Sequence, residues 1–169
     1  MKTLYLVRHA KSSWDDQTLA DHNRPLAKRG LRQLEEIGPW LAARGVRPQR
    51  LLCSTAARAQ ATARPLAEAM GYPPEAIDYQ ARLYACTPDA LLAVIGEQSD
   101  DLQSLMLVGH NPELTELATR LGAGIEHMPT CAVVELVFAS GRWAGIESQA
   151  PVQRLFQRPT RKRERKAGD

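Results

Sequence analysis

Two histidines occupy matching places in this sequence of 169 residues: His9 closes the apolar run of "LYLVRH", and His110 closes that of "LMLVGH". A third apolar run, "LLC", leads into "STAARAQATA", with Arg58 on the first turn of an expected helix. Arg8 directly precedes His9, and Arg24 stands in the loop that follows, within "HNRPLAKRG". In an open α/β sheet, ligands bind at the carboxyl ends of the strands, so these groups can meet in one pocket. A cation would call for carboxylates or thiolates beside the histidines, whereas these positions bring guanidinium groups. Arginines from three places suit a dianion such as a phosphoryl group. Each planar fork pairs with two phosphate oxygens, and helix N-termini add backbone donors. A neutral imidazole is then the natural nucleophile, forming an N-phosphoryl intermediate that water hydrolyses. His110 would neutralise the phosphoryl oxygens or help move a proton. No metal and no cofactor are expected.

The elements that position these groups alternate between strand and helix. Residues 3 to 8 begin as a continuous apolar run, the pattern of a parallel strand covered on both faces. From Leu26 to Ala43 helical spacing places Leu31, Leu34, Ile37 and Leu41 near one face, with Pro39 interrupting and Gly45 ending the helix. Residues 50 to 53 form a short strand, and Ser54 or Thr55 is the expected cap of a helix running to about Met70, disturbed by Pro65. "AIDYQARLYACTP" leaves room for a short edge strand, and Thr87 with Pro88 opens a helix over "DALLAVIGE". Residues 104 to 108 form a full strand, Gly109 allows a tight exit, and Asn111 with Pro112 opens a helix to about Leu121. Asn111 is read as the cap that fixes the loop carrying His110. Residues 131 to 138 form a further strand, and 141 to 147 are expected to pair with it across a Ser140-Gly141 turn. This order implies an α/β sandwich with a largely parallel sheet.

Composition bounds the function classes. Apolar residues make up 44 % and the mean hydropathy is -0.35, so one domain with an ordinary core is expected. The apolar runs fall far short of the roughly 20 residues that span a bilayer. The N-terminal run stops at Arg8 with no small-residue cleavage site, and a cytoplasmic location is the expectation. Cys53, Cys86 and Cys131 form no C-x-x-C pair and read as inert thiols. The net charge of +3 is uneven, since residues 157 to 169 carry six basic and two acidic side chains and leave the rest at -1. A catalytic domain over 1–156 and a basic, disordered tail over 157–169 are expected. The tail has no aromatic to stack on bases, which argues against nucleic acid as a partner.

"LVRHA" resembles the Arg-His-Gly signature of the histidine phosphatase superfamily, with Ala10 in place of the commoner glycine. Together, "LVRHAKSSW", "RPLAKRG", "STAARAQATA", "LVGHNPEL" and "MPTCAV" resemble the bacterial SixA-type phosphohistidine phosphatases, over about residues 3 to 147. The resemblance implies a phosphoglycerate mutase-like, three-layer α/β/α sandwich. It makes His9 the residue that is phosphorylated, Arg8 and Arg58 the phosphoryl clamp, His110 the residue completing the pocket, and Arg24 a further phosphate-facing arginine. Gly109 and Asn111 support the loop. His22 and His127 are left as surface or locally hydrogen-bonded residues, Trp14 as a lining of the pocket mouth, and Trp40 and Trp143 as packing residues.

The resemblance also implies a general acid, used by the mutases and many ester phosphatases, between the Arg58 helix and the His110 strand. Here that interval reads "PPEAIDYQARLYACTPDALL", without the acid motif. An alkoxide needs a proton in order to leave, whereas imidazole departing from phosphohistidine is a better leaving group, so the gap favours P–N substrates. Asp16, Asp21, Asp78 and Glu113 remain weak candidates for an acid. Brief connections predict an open pocket suited to phosphohistidine on a protein, such as a phosphorelay or phosphotransfer domain. The expected enzyme is a monomeric, metal-independent phosphohistidine phosphatase. A small-molecule phosphomonoesterase is the alternative, followed by a mutase and by a phosphate- or phosphoprotein-binding module without turnover.

Overall fold

The computed structural model describes residues 1–160. Its centre is a sheet of β1 (Lys2–Arg8), β2 (Arg50–Ser54), β3 (Asp78–Gln80), β4 (Ser104–Gly109), β5 (Val133–Phe138) and β6 (Gln153–Gln157), ordered β3-β2-β4-β1-β5-β6. β1, β2, β3 and β4 are mutually parallel, while β5 pairs antiparallel with β1, and β6 with β5. The helices are α1 (Lys28–Ala43), α2 (Ala57–Met70), α3 (Pro88–Gly96) and α4 (Glu113–Arg120).

Strand alternation divides the core between two faces. Leu4, Leu6, Leu105 and Leu107 pack with Leu91 and Ile95 of α3 and Leu114 and Leu117 of α4. On the other face, Val7, Leu51, Met106 and Val108 meet Ile37 and Leu41 of α1 and Ala63 and Leu66 of α2. Helices on both faces of a largely parallel sheet make the three-layer α/β/α sandwich of the phosphoglycerate mutase-like fold. Each fully buried leucine contributes about 1.5–3 kcal/mol to holding these layers together.

The structure corrects several sequence expectations. Leu31 is 54 % exposed, and Gln33 turns inward instead. The Gln33 side chain accepts from the Lys11 N–H at 2.8 Å and donates to Thr130 Oγ1 at 2.9 Å, which ties α1 to the loop after β1. Gly30 makes that approach possible, since a Cβ there would lie 2.3 Å from the Lys11 carbonyl oxygen. Pro39 and Pro65 sit inside continuous helices. Neither Ser54 nor Thr55 caps α2, whose N-cap is Ala56 with no side-chain bond. Thr87 does cap α3, accepting from the Ala90 N–H at 3.2 Å.

Residues 141 to 147 form no strand. Trp143 is fully buried, its indole N–H donating to the Leu102 carbonyl at 2.8 Å, so this segment fills the core while β6 pairs with β5. The expected tail boundary falls at the end of β6, because Gln157 belongs to that strand and the Thr160 N–H donates to the Glu36 carboxylate at 3.0 Å. The remainder of the expected tail, 161–169, lies outside the described residues.

Candidate active site

β2, β4 and β1 are adjacent and parallel, so their carboxyl ends share one edge. His9 leaves β1 with its N–H on the Gly109 carbonyl at 3.0 Å, and this register sets the His9 and His110 rings 5.1 Å apart. Cys131, with φ of 61°, donates its N–H to the carbonyls of both Arg8 and His9 at 3.0 Å. The segment before β5 thereby braces the His9 loop. From the α2 side, the Ala10 N–H donates to Thr62 Oγ1 at 2.9 Å.

His9 is buried, and its Nδ1–H donates to the Ala10 carbonyl at 2.7 Å. A carbonyl can only accept, so the proton is on Nδ1 and Nε2 carries the lone pair. Burial lowers the His9 pKa to about 3, with His110, Arg58 and Arg8 disfavouring a further positive charge. His110 Nε2 pairs with Ser54 Oγ at 2.8 Å, and burial and Arg58 bring its pKa down to about 4. Both imidazoles are therefore neutral near pH 7.

Arg8 Nη1 donates to the Met128 carbonyl at 3.0 Å, which also accepts from Asn111 Nδ2 at 2.9 Å. Asn111 Oδ1 in turn accepts from the Thr115 N–H at 3.1 Å, so Asn111 links the first turn of α4 to the anchor of Arg8. Gly109 has no left-handed φ, and an added Cβ would meet side chains of Leu107 and Leu114 at ordinary contact. The expected backbone need for glycine is absent there.

Asp21 ties together the other two arginines. Its backbone carbonyl accepts from Arg58 Nη1 at 2.7 Å and its carboxylate from Arg58 Nη2 at 3.1 Å, Arg24 Nε at 3.1 Å and the Tyr84 hydroxyl at 2.6 Å. The Tyr84 bond and the Arg58 contact hold the Asp21 pKa down to about 2. Arg24 also donates to Ser12 Oγ at 3.0 Å and the Ser13 carbonyl at 3.3 Å, and its guanidinium stacks 3.4 Å above the exposed Trp14 ring. Arg24 thus reaches the Arg58 side of the site through Asp21. The Tyr84 ring stands steeply inclined to His110 at 5.6 Å and to His22 at 4.8 Å, with interplanar angles of 73° and 87°. His22 also meets Thr55 Oγ1 at 2.9 Å, and beside it opens a cleft of about 390 Å³ lined by Asn23, Gln60 and Arg64 as well. His127 is exposed and Trp40 half-buried.

Ser54 and Tyr84 were missed as site residues. Ser54 ends β2 as Gly109 ends β4, a placement readable from sequence once the strands are known to be neighbours; nothing in sequence marks Tyr84. Asp78 is paired with Arg50 on β2, and Asp16 bonds Thr18 within its exposed loop.

Four buried side-chain polar atoms lack a hydrogen-bond partner among the described residues: Arg8 Nε, Arg58 Nε, His110 Nδ1 and Glu113 Oε1. An unpaired buried donor costs about 1–3 kcal/mol. Three of the four belong to residues drawn together around the His9 ring, the arrangement of a site that completes its hydrogen bonding with an oxyanion. Among the described residues, no group of three His, Cys, Asp or Glu stands where it could hold a metal ion.

Residues 4–83 match the model of the histidine phosphatase superfamily, branch 1. Over 152 residues the chain is 37 % identical to an uncharacterized protein of Mycobacterium tuberculosis, covering 83 % of this chain and 92 % of that one. Its backbone is similar to a proposed SixA phosphohistidine phosphatase of Agrobacterium tumefaciens, with a TM-score of 0.72 and 32 % identity over 80 % of this chain and 90 % of that chain. It is also similar to a proposed SixA phosphohistidine phosphatase of Nakamurella multipartitia, with a TM-score of 0.77 and 26 % identity over 95 % of this chain and 97 % of that chain. The family match spans the segment that holds both His9 and Arg58, and the wider likenesses run on through His110. The chain belongs to the histidine phosphatase superfamily, and its chemistry is that of a phosphatase.

Proposed function

We propose that the protein is a phosphohistidine phosphatase acting on a histidine-phosphorylated protein. The observation that carries this reading is the state of His9, a neutral ring with Nδ1–H fixed on the Ala10 carbonyl and Nε2 free, beside Arg8, Arg58 and His110, each with one nitrogen unpaired among the described residues. Nε2 attacks phosphorus, the P–N bond of the substrate breaks, and its electron pair leaves with the substrate imidazole. Arg8 and Arg58 hold the phosphoryl oxygens and His110 completes the pocket, as preorganised donors aimed at developing charge. The Ala10 carbonyl stabilises the phosphorylated His9 ring while water attacks phosphorus, returning His9 and releasing phosphate. Arg24 acts through Asp21, and Gly109 and Asn111 carry and brace the His110 loop.

Asp21, the carboxylate nearest the clamp, is ionised and occupied by two arginines, so it has no proton to give to a leaving group. An imidazole departing from phosphohistidine depends less on such a donor than an alkoxide does. The cleft beside His22 leaves room for polypeptide flanking the phosphorylated residue, and the SixA-named chains reported above support the same substrate class. In this reading the enzyme works as a monomer in the cytoplasm, without metal or cofactor, on a phosphorelay or phosphotransfer domain. The test is phosphate release from a histidine-phosphorylated protein and from simple phosphomonoesters, for wild type and His9→Ala. Faster release from the P–N substrate, abolished by the substitution, is expected. A strong preference for one metabolite ester, with the phosphoprotein left intact, would overturn the reading in favour of a small-molecule phosphomonoesterase.

A further inference from the structure

Ser54 is the last residue of β2 and is fully buried. Its Oγ lies 2.8 Å from His110 Nε2 and 3.2 Å from the Ala56 backbone nitrogen, and it meets no third hydrogen-bonding atom among the described residues. The two contacts differ in kind. The Ala56 N–H can only donate, so it occupies a lone pair of the Ser54 oxygen, and the hydroxyl hydrogen has one acceptor within reach, His110 Nε2. The reverse arrangement, with Nε2–H donating to Ser54, would leave that hydrogen without an acceptor in the core, where an unpaired donor is costly.

A neutral imidazole carries one N–H, and the bond made at one nitrogen decides which of the two holds it. With Nε2 accepting from Ser54, the His110 proton is on Nδ1. That atom is buried and without a partner, the same unpaired state as Arg8 Nε and Arg58 Nε, and its ring stands 5.1 Å from the His9 ring. Ser54 ends β2 and His9 follows β1, with β4 between them, so the Ser54 bond commits Nε2 to the β2 flank and leaves Nδ1 as the uncommitted nitrogen of the ring. A lone pair on Nδ1 would attract a guanidinium N–H, and none is bonded there. It would also repel the oxygens of a phosphoryl dianion, whereas Nδ1–H meets them as a donor.

We propose that Ser54 is a positioning residue that fixes the tautomer of His110, so that the ring offers Nδ1–H to the phosphoryl oxygens. The proposal rests on the preceding reading only for a phosphoryl group held beside His9, and it holds whether the leaving atom is nitrogen or oxygen. Ser54 touches no reacting atom and acts through His110, as the Ala10 carbonyl acts through His9. The two rings take the same tautomer and use it oppositely. His9 keeps the Nε2 lone pair for attack on phosphorus, and His110 spends its Nε2 lone pair on Ser54 and keeps the hydrogen for the pocket.

The experiment is nitrogen NMR of the histidine rings in isotope-labelled wild type, Ser54→Ala and Ser54→Thr at neutral pH, with His110→Gln identifying the His110 signals. In wild type His110 should show a protonated Nδ1 and an unprotonated Nε2, and inorganic phosphate at concentrations that inhibit turnover should shift the Nδ1 resonance. A protonated Nε2, or an Nδ1 indifferent to phosphate, overturns the proposal whether or not the variants fold. Ser54→Ala should bring in the Nε2–H tautomer and lower kcat about tenfold or more, as for a misdirected donor in an oxyanion site. Ser54→Thr keeps the hydroxyl and should keep both the tautomer and turnover within about threefold of wild type. Loss of turnover in Ser54→Ala with the His110 tautomer unchanged would make Ser54 structural and overturn the proposal. Turnover is followed on p-nitrophenyl phosphate and on a histidine-phosphorylated protein, so failure of wild type on the phosphoprotein alone would remove the phosphohistidine reading and leave the Ser54 assignment standing.

Discussion

Arg58 and Asp21 meet twice, through the Asp21 backbone carbonyl at 2.7 Å and its carboxylate at 3.1 Å. The same carboxylate holds Arg24 and Tyr84, so one residue of an exposed 3-10 turn orients two of the arginines proposed to meet the phosphoryl group. Its negative charge also repels an incoming dianion. Asp21→Asn should therefore separate the two effects. We expect kcat to fall about tenfold, equivalent to roughly 1.4 kcal/mol of transition-state stabilisation, while inorganic phosphate binds more tightly. Steady-state kinetics with phosphate as competitive inhibitor reads both quantities, and an unchanged kcat would remove Asp21 from the positioning of Arg58.

Arg58 itself uses a planar fork that no ammonium reproduces, with two nitrogens on Asp21 and Nε unpartnered. Arg58→Ala should lower kcat/KM by at least about tenfold through loss of phosphoryl stabilisation. Arg58→Lys keeps the charge and loses the fork, so it should behave more like Arg58→Ala than like wild type. A lysine variant within about threefold of wild type would show that charge alone suffices.

Much of the candidate site's grouping was legible because parallel strands deliver their last residues to one edge. His9, Arg8, His110 and Arg58 each stand within a few residues of a strand end, and adjacency of β2, β4 and β1 brings those ends together. Residues that act from farther along the chain were not legible. Tyr84 reaches the pocket from a 3-10 segment, and Asp21 gains its role from two arginines 3 and 37 residues away. Glu113 stood only as one of four candidate acids, since helical position does not reveal whether a carboxyl meets solvent or is buried, as it is here. The error over 141–147 has a similar origin. A tryptophan between two glycines fits a short strand by pattern, whereas its burial against Leu102 is a tertiary outcome.

Trp143 tests that tertiary outcome directly. The side chain is fully buried and its N–H is bonded to the Leu102 carbonyl, while Lys2 lies 5.5 Å from its ring. Trp143→Ala should destabilise the protein by about 3–5 kcal/mol, the range for emptying a large aromatic site. Chemical denaturation measures it. A loss below about 1 kcal/mol would mean that the 141–147 segment is held by its backbone and contributes little to the core.

The two depressed histidines predict how stability depends on acid. In the unfolded chain each takes up its proton near pH 6.5, whereas in the folded chain His110 does so at about 4 and His9 at about 3. As pH falls below 6.5 the unfolded state therefore binds protons that the folded state refuses, and stability is lost until the folded pKa values are passed. Each histidine contributes about 1.4 kcal/mol per pH unit over that window. Glu113 acts in the opposite sense, because its raised pKa favours the folded protonated form between that pKa and the ordinary value of 4.5. Asp21 adds its own loss only below its ordinary value of 3.8. Denaturation of wild type and of a His9→Gln, His110→Gln double variant should be compared from pH 7.5 to 5, in buffers free of phosphate and sulfate, since anions that bind the folded state would mask the effect. The wild-type curve should fall more steeply by about 2–4 kcal/mol across that range, and parallel curves would show that the two imidazoles titrate normally in the folded protein.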